Sequence, residues 1–272
     1  MHALFKRPDV VLILGVSGCI FLPFFRLFSK SKVVTNIDGL EWRREKWGKW
    51  PKRFLKYSEK LAVKYSDVVI SDNQAIADYV QNEYAVKSTV IAYGGDHAVT
   101  ADLNTTDAGF ALALCRIEPE NNVEMILEAF SQTEQPLKFI GNWDSSEFGR
   151  SMKSKFSVFD NIEIIDPIYD IDKLFVLRSS CSFYVHGHSA GGTNPSLVEM
   201  MYFGKTIFCF DCNYNRASTE EQAEFFADSD VLVEFIQSDK KIDNGQPMLE
   251  IAQCRYTWDI VRKQYFDVMI TQ

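Results

Sequence analysis

The chain has 272 residues, 46% hydrophobic, 24% charged and 14% aromatic, a globular composition that excludes disordered, collagen-like and coiled-coil classes. The length suffices for one large core or two smaller ones. A net charge of −8 argues against a nucleic acid held by overall electrostatics, since phosphate neutralisation needs a basic surface.

The first element is easily misread. Residues 10–25 are almost wholly apolar and follow Lys6 and Arg7. The stretch is shorter than the roughly 20 residues that cross a bilayer, lacks a small-x-small cleavage site, and is punctuated by Pro8, Gly15, Gly18 and Pro23. It reads instead as a buried strand over 10–14, a glycine turn and a helix over 17–28. Apolar strands without alternation suit a parallel sheet covered on both faces. A strand over 32–37, a helix over 51–65, a strand over 67–71, a helix over 73–84 capped by Asn73, and a short strand over 88–92 follow. Residues 94–108 hold few large apolar groups and several turn formers, which predicts an interdomain linker. A second alternation then begins: strand 110–115, helix 122–132, strands 137–140 and 162–165, a short helix over 171–178, strand 182–185, helix 195–203 and strand 206–210. Residues 248–269 read as one long helix whose aromatic residues dock back on the first lobe.

This alternation predicts an α/β fold of two Rossmann-like domains. The first spans 1–94 and is incomplete; 95–108 is the linker, 109–247 the second domain and 248–272 the C-terminal helix. Two such halves in tandem place a ligand at the carboxyl ends of the strands, in the cleft between them.

Two motifs sit at such strand ends. In residues 185–199, a strand ends at His186, glycines at 187, 191 and 192 permit close backbone approach, and Asn194-Pro195 supplies an N-cap with proline at the first helical position. The free N–H groups of that helix start favour an anion, with pyrophosphate as the natural guest, and Glu199 one turn on could accept hydrogen bonds from sugar hydroxyls. Arg116 follows the first strand of the second half, where a guanidinium can fork two phosphate oxygens. Taken alone, Arg116 is equally a surface arginine. The six cysteines lie in apolar surroundings and read as buried free thiols of a reducing compartment; Cys209 and Cys212 lack the second pair that a metal site would need.

The order of these motifs resembles a retaining glycosyltransferase of the GT-B fold, family 4. The segments carrying the likeness are Arg116-Ile-Glu-Pro-Glu120 after the first strand of the second lobe and the glycine loop from His186 through Pro195 to Glu199. Together with Asn36-Ile-Asp-Gly-Leu-Glu-Trp-Arg-Arg-Glu-Lys-Trp47, that loop resembles the bacterial rhamnosyltransferases that build surface polysaccharide such as capsule. The resemblance implies a nucleotide-sugar donor, with Arg116 on its diphosphate, Gly191, Gly192, Thr193 and Asn194 cradling it, Glu199 on the ribose, and Asn142 and Tyr169 near the base. It places Asp38 and Glu41 toward the transferred sugar and acceptor, and makes Arg116, Asp38 and His188 the candidate catalytic groups. Two positions depart from the family: Asn121 stands where a lysine is usual and Gly191 where a glutamate is, so His186 or His188 would grip the sugar. The family also begins with two further βα units of roughly 30 to 40 residues each, so about 80 residues of the first lobe are expected to be missing.

Charge is unevenly spread. Residues 1–65 carry 14 Lys/Arg against 5 Asp/Glu and the rest of the chain 15 against 32, giving +9 and −17. Trp42, Trp47 and Trp50 interleave with a lysine row that includes Lys52, Lys56 and Lys60, a pattern suited to an anionic membrane surface as much as to a solvated helix face. The combined expectation is a peripheral glycosyltransferase on the cytoplasmic side of the plasma membrane. It would move rhamnose from a deoxythymidine-diphosphate donor to a lipid-linked saccharide, with no cofactor, no metal and no nucleic acid. The rival readings are a non-catalytic truncated homologue that binds a nucleotide or a partner chain, and a nucleotide-sugar epimerase of the same fold.

Overall fold

The computed structural model describes residues 6–44, 47–102, 106–238 and 242–270. The chain forms two compact α/β units. The first comprises Met1–Tyr93, Ala190–Thr193 and Asp259–Gln272, and the second Gly94–Ser189 and Asn194–Trp258.

In the first unit, β1 (Val10–Leu14) leads through a 3-10 turn into α1 (Leu22–Phe28), followed by β2 (Lys32–Asn36), α2 (Lys49–Tyr65), β3 (Val68–Ser71), α3 (Gln74–Tyr84) and β4 (Thr89–Val90). The helix expected over 17–28 therefore begins only at Leu22, with Cys19–Phe21 in the tighter turn. The described strands form a parallel sheet in the order β1-β2-β3-β4, with Val10 opposite Lys32 and Leu14 opposite Asn36. Helix α2 starts two residues before Pro51, because a first-turn proline sacrifices only an N–H that has no intrahelical partner anyway. Asn73 caps α3 as predicted, its side chain accepting from the Ala75 N–H at 2.9 Å.

The second unit contains β5 (Ala111–Leu114), α4 (Val123–Ser131), β6 (Leu137–Ile140), α5 (Glu147–Phe156), β7 (Ile162–Ile165), α6 (Ile171–Ser180), β8 (Phe183–His186), α7 (Pro195–Met201), β9 (Thr206–Phe210), α8 (Asn213–Ser218), β10 (Glu224–Phe226), α9 (Ser229–Gln237) and α10 (Gly245–Arg255). Its strands are parallel in the order β10-β9-β8-β5-β6-β7. The chain lays down β5, β6 and β7 in one direction, then returns to the other side of β5 with β8, so the topology switches between β5 and β8. Phe130, Phe139, Trp143 and Phe226 are fully buried in its core. Each such side chain stabilises the fold by roughly 1.5–3 kcal/mol relative to exposure.

Four elements of this unit escape the periodicity of the sequence. Helix α5 reads as polar, yet Ser146 caps it through the Gly149 N–H at 3.0 Å and it buries Gly149, Met152 and Phe156. Helix α9 is likewise capped by Asp228, and α8 and β10 are too short to show a period.

The single C-terminal helix expected over 248–269 is in fact two, α10 and α11 (Trp258–Ile270). The Tyr256 ring is buried and its hydroxyl donates to the Ser218 carbonyl at 2.7 Å, while its own carbonyl accepts from the Gly95 N–H at 2.7 Å. Two residues on, the Trp258 N–H is taken by the Asp96 carboxylate at 2.9 Å. These contacts replace the helical ladder and break the rod. From Asp259 on, α11 is part of the first unit, where Val261 packs with Val34, Ile70 and Ile91. The same contacts revise the predicted linker. Its first residues are integral to the second unit: Gly95 lies against the Val198 carbonyl and Ala98 is buried. Residues 103–105 of that stretch lie outside the described residues.

Candidate functional site

Parallel strands present their loops at one end, and a topological switch leaves a crevice there. In the second unit that crevice is a cavity of about 690 Å³ at the carboxyl ends of β5, β6 and β8. Arg116, Asn121, Asn142, Tyr169, His188, Asn194 and Glu199 all line it, so seven of the residues singled out in the sequence converge.

Local structure explains the convergence. The segment after β8 interlocks with the 3-10 turn Pro119–Asn121. Gly187 lies so close to the Asn121 carbonyl that a Cβ would come within 2.2 Å of it, and the Asn122 side chain donates to the Gly187 carbonyl at 2.8 Å. The Ser189 N–H reaches the Glu120 carbonyl at 3.0 Å. This fixes Asn121, whose amide donates to the Arg116 carbonyl at 2.7 Å while its Oδ1 meets His188 Nδ1 at 2.8 Å. Both ends of that amide are thus engaged within the protein. A lysine here would offer the cavity a charge; Asn121 braces Arg116 and His188 instead. The Arg116 side chain itself is exposed at the cavity wall.

Glu199 differs from its expected role as a free acceptor for hydroxyls. One oxygen forms a salt bridge with Arg178 of α6, and the other lies 3.3 Å from His97 Nε2. Arg178 is a buried cation that sequence reasoning missed, because its helix shows no apolar stripe to reveal which face is inward. His186 is not among the residues lining the cavity. It is buried, its Nε2 has no partner among the described residues, and burial together with His188 holds its pKa well below the ordinary value, so the ring is neutral. Asn194 caps α7 as predicted, accepting from the Ser196 N–H at 3.0 Å, but the helix spans only Pro195–Met201.

Gly191, Gly192 and Thr193 belong to the first compact unit. Gly191 has φ of +127°, and a Cβ on Gly39 would approach its Cα to 2.9 Å. Any larger residue at 191 would be strained, which accounts for the departure from the usual glutamate. In the same unit Asp38 is exposed in a left-handed conformation, φ +56°, and accepts from the Tyr93 hydroxyl at 3.0 Å. Glu41 pairs with Arg44 at 2.8 Å.

The basic segment is less uniform than its sequence. Lys56 is bonded to Tyr79 and lies 2.9 Å from Glu83 and 3.4 Å from the buried Glu59. Burial alone would lower its pKa, but these partners outweigh that and raise it. Trp42 donates to Glu59 at 2.9 Å. Lys56 and Trp42 therefore serve the fold, whereas Lys60, Trp47 and Trp50 are exposed, and Lys52 is half-buried beside a groove of about 570 Å³. Among the described residues, no helix is long and apolar enough to cross a membrane, and no three His, Cys, Asp or Glu side chains cluster as metal ligands would.

Comparison with known proteins agrees with this architecture. Residues 5–96 match a family described as a domain of unknown function, DUF1972. No curated protein sequence matches the chain. Among solved structures, the chain is similar to a sucrose-phosphate synthase from Thermosynechococcus elongatus, with a TM-score of 0.77 at 14% identity over 98% of this chain and 74% of that one. It is similar to Anabaena HepE in complex with UDP, with a TM-score of 0.78 at 13% identity over 98% and 79%. It also resembles Staphylococcus aureus TarM, with a TM-score of 0.77 at 12% identity over 99% of this chain but only 57% of TarM, so the chain spans little more than half of that protein. The fold is the two-domain Rossmann-like architecture of GT-B glycosyltransferases.

Proposed function

We propose that the chain is a glycosyltransferase that takes a nucleoside-diphosphate sugar into the cavity of its second unit. The observation that carries this reading is the exposed Arg116 guanidinium at the end of β5, in a cavity at the topological switch point. Solved structures of the same fold hold UDP or UDP-glucose, which supports a nucleotide-sugar donor. As the bond from the sugar to the diphosphate breaks, negative charge grows on the departing oxygens, and Arg116 meets it with a fixed cation. Asn142 and Tyr169 border the base end, the start of α7 at Asn194 holds the diphosphate, and Glu199, oriented by Arg178, faces the ribose; the resemblance alone assigns the loop of Gly191 to Thr193 to the same diphosphate. His188, braced by Asn121, attends the reacting sugar within this cavity, and Asp38 of the first unit is assigned to the acceptor side by the resemblance alone. The sequence resemblance favours a family 4 retaining enzyme with a deoxythymidine-diphosphate-rhamnose donor and a lipid-linked saccharide acceptor in surface polysaccharide synthesis. The chemistry assigned to Arg116 calls for no further cofactor.

Calorimetric titration with UDP and deoxythymidine diphosphate, followed by transfer of radiolabelled sugar to a membrane extract, tests the proposal. Binding and transfer are expected. Binding without transfer would indicate a nucleotide-binding homologue, and no binding of either diphosphate would overturn the reading. Peripheral attachment at the cytoplasmic membrane face is a further part of it. Changing Lys52 and Lys60 to Glu should abolish co-sedimentation with anionic phosphatidylglycerol vesicles, since each cation near the headgroups contributes about 1 kcal/mol. Lys56 is left in place because it holds Glu59. Equal pelleting of variant and wild type would remove the membrane from the proposal.

A further inference from the structure

Asp72, at the end of β3, is a carboxyl that none of the motifs points to. It is 1% exposed, and its Oδ1 has no hydrogen-bond partner among the described residues. What covers it is the glycine loop. A Cβ on Gly192 would lie 1.9 Å from Asp72 Oδ1, so the loop backbone rests directly on the carboxyl. The Thr193 N–H donates to the same carboxyl, the Thr193 hydroxyl donates to the Asp72 carbonyl, and the Asn73 side chain reaches the Thr193 hydroxyl at 3.4 Å. Residues 190–193 are thereby fastened to the turn between β3 and α3.

We propose that Asp72 is the positioning residue that seats the glycine loop, and that it does so as a neutral acid. The charged form is disfavoured first by burial and second by the Asp38 carboxylate, and these raise the Asp72 pKa from 3.8 to about 7 against the opposing pull of its own N–H and of the Thr193 N–H. The other titratable groups facing it are the Tyr93 and Tyr265 hydroxyls, both held neutral by burial, and none of the groups acting on Asp72 is a cation. An ionised Asp72 needs water, and with Gly192 lying over it water enters only when the loop lifts. Because the folded-state pKa lies above the ordinary one, the seat is secure at low pH and is lost as pH rises through about 7. On the reading that this loop holds the donor diphosphate, Asp72 would set where those backbone groups stand.

Amide hydrogen exchange of the full chain without nucleotide tests the seat independently of that reading. Protection of Thr193, corrected for the intrinsic pH dependence of exchange, should fall about tenfold between pH 6 and pH 8, following the neutral fraction of a group that titrates near 7. In Asp72→Asn, which keeps the shape without the charge, protection should be high at both values. Gly192→Ala, whose methyl would collide with Asp72, should lose protection at both while the sheet amides stay protected. Protection that is independent of pH in the wild type, or an equal fall in Asp72→Asn, would overturn the proposal. Failure to bind UDP would overturn the donor reading and leave the exchange result standing.

Discussion

Glu199→Ala should destabilise the second unit by about 3–5 kcal/mol, the cost of stranding one partner of a buried ion pair. The Arg178 side chain is 6% exposed and Glu199 16%, so neither charge is well served by water. His97, the other neighbour of Glu199, is 47% exposed and contributes little. Once the carboxylate is gone, the guanidinium between α6 and α7 must be hydrated by opening the packing around it. Urea denaturation followed by tryptophan fluorescence measures the effect. The double variant Arg178→Met, Glu199→Leu should recover most of the loss, because removing both charges leaves nothing unpaired. A single variant within about 0.5 kcal/mol of wild type, the range of an ordinary surface substitution, would show that the pair does not hold these helices. Both Glu199 oxygens are engaged, one by Arg178 and the other by His97, so on the proposed function a sugar hydroxyl would compete with His97 for the second.

Arg116→Ala should do the opposite: leave stability within about 0.5 kcal/mol and lower turnover roughly 10²- to 10³-fold. The side chain is exposed, and what fixes the loop around it is the Asn121 amide bonded to its main-chain carbonyl, which alanine keeps. On the proposed function, loss of the guanidinium removes the cation that would meet the developing diphosphate charge, and Asn121 supplies none in its place. Arg116→Lys should restore part of the rate as a point charge without the bidentate fork. Steady-state kinetics with a matched melting curve checks both halves. A folded Arg116→Ala enzyme of normal turnover would take the diphosphate away from this end of β5.

Much of the cavity lining was legible because its signals are local. Asn73 and Asn194 declare caps, the glycines at 187 and 191 mark backbone positions that admit no side chain, and Arg116 and Glu199 sit at fixed offsets from a strand end and a helix start. What was missed lacks a local signature. Asp72 follows a strand like any turn aspartate, and only Gly192, 120 positions later, makes it a buried acid. Lys56 repeats at the spacing of a surface lysine, yet Glu59, Tyr79 and Glu83 take it up. Tyr256 looks like one more aromatic in a continuous helix until Ser218 and Gly95 claim its polar atoms.

By itself, the sequence determined the alternation of strands and helices, the two parallel sheets and the loops that lie at strand ends, since period, caps and glycines act over a few residues. The tertiary structure alone decided which charges are paired, which carboxyl is buried and where the last helix breaks. Those outcomes depend on desolvation and on partners brought together by strand order, and neither quantity exists until the sheets have formed.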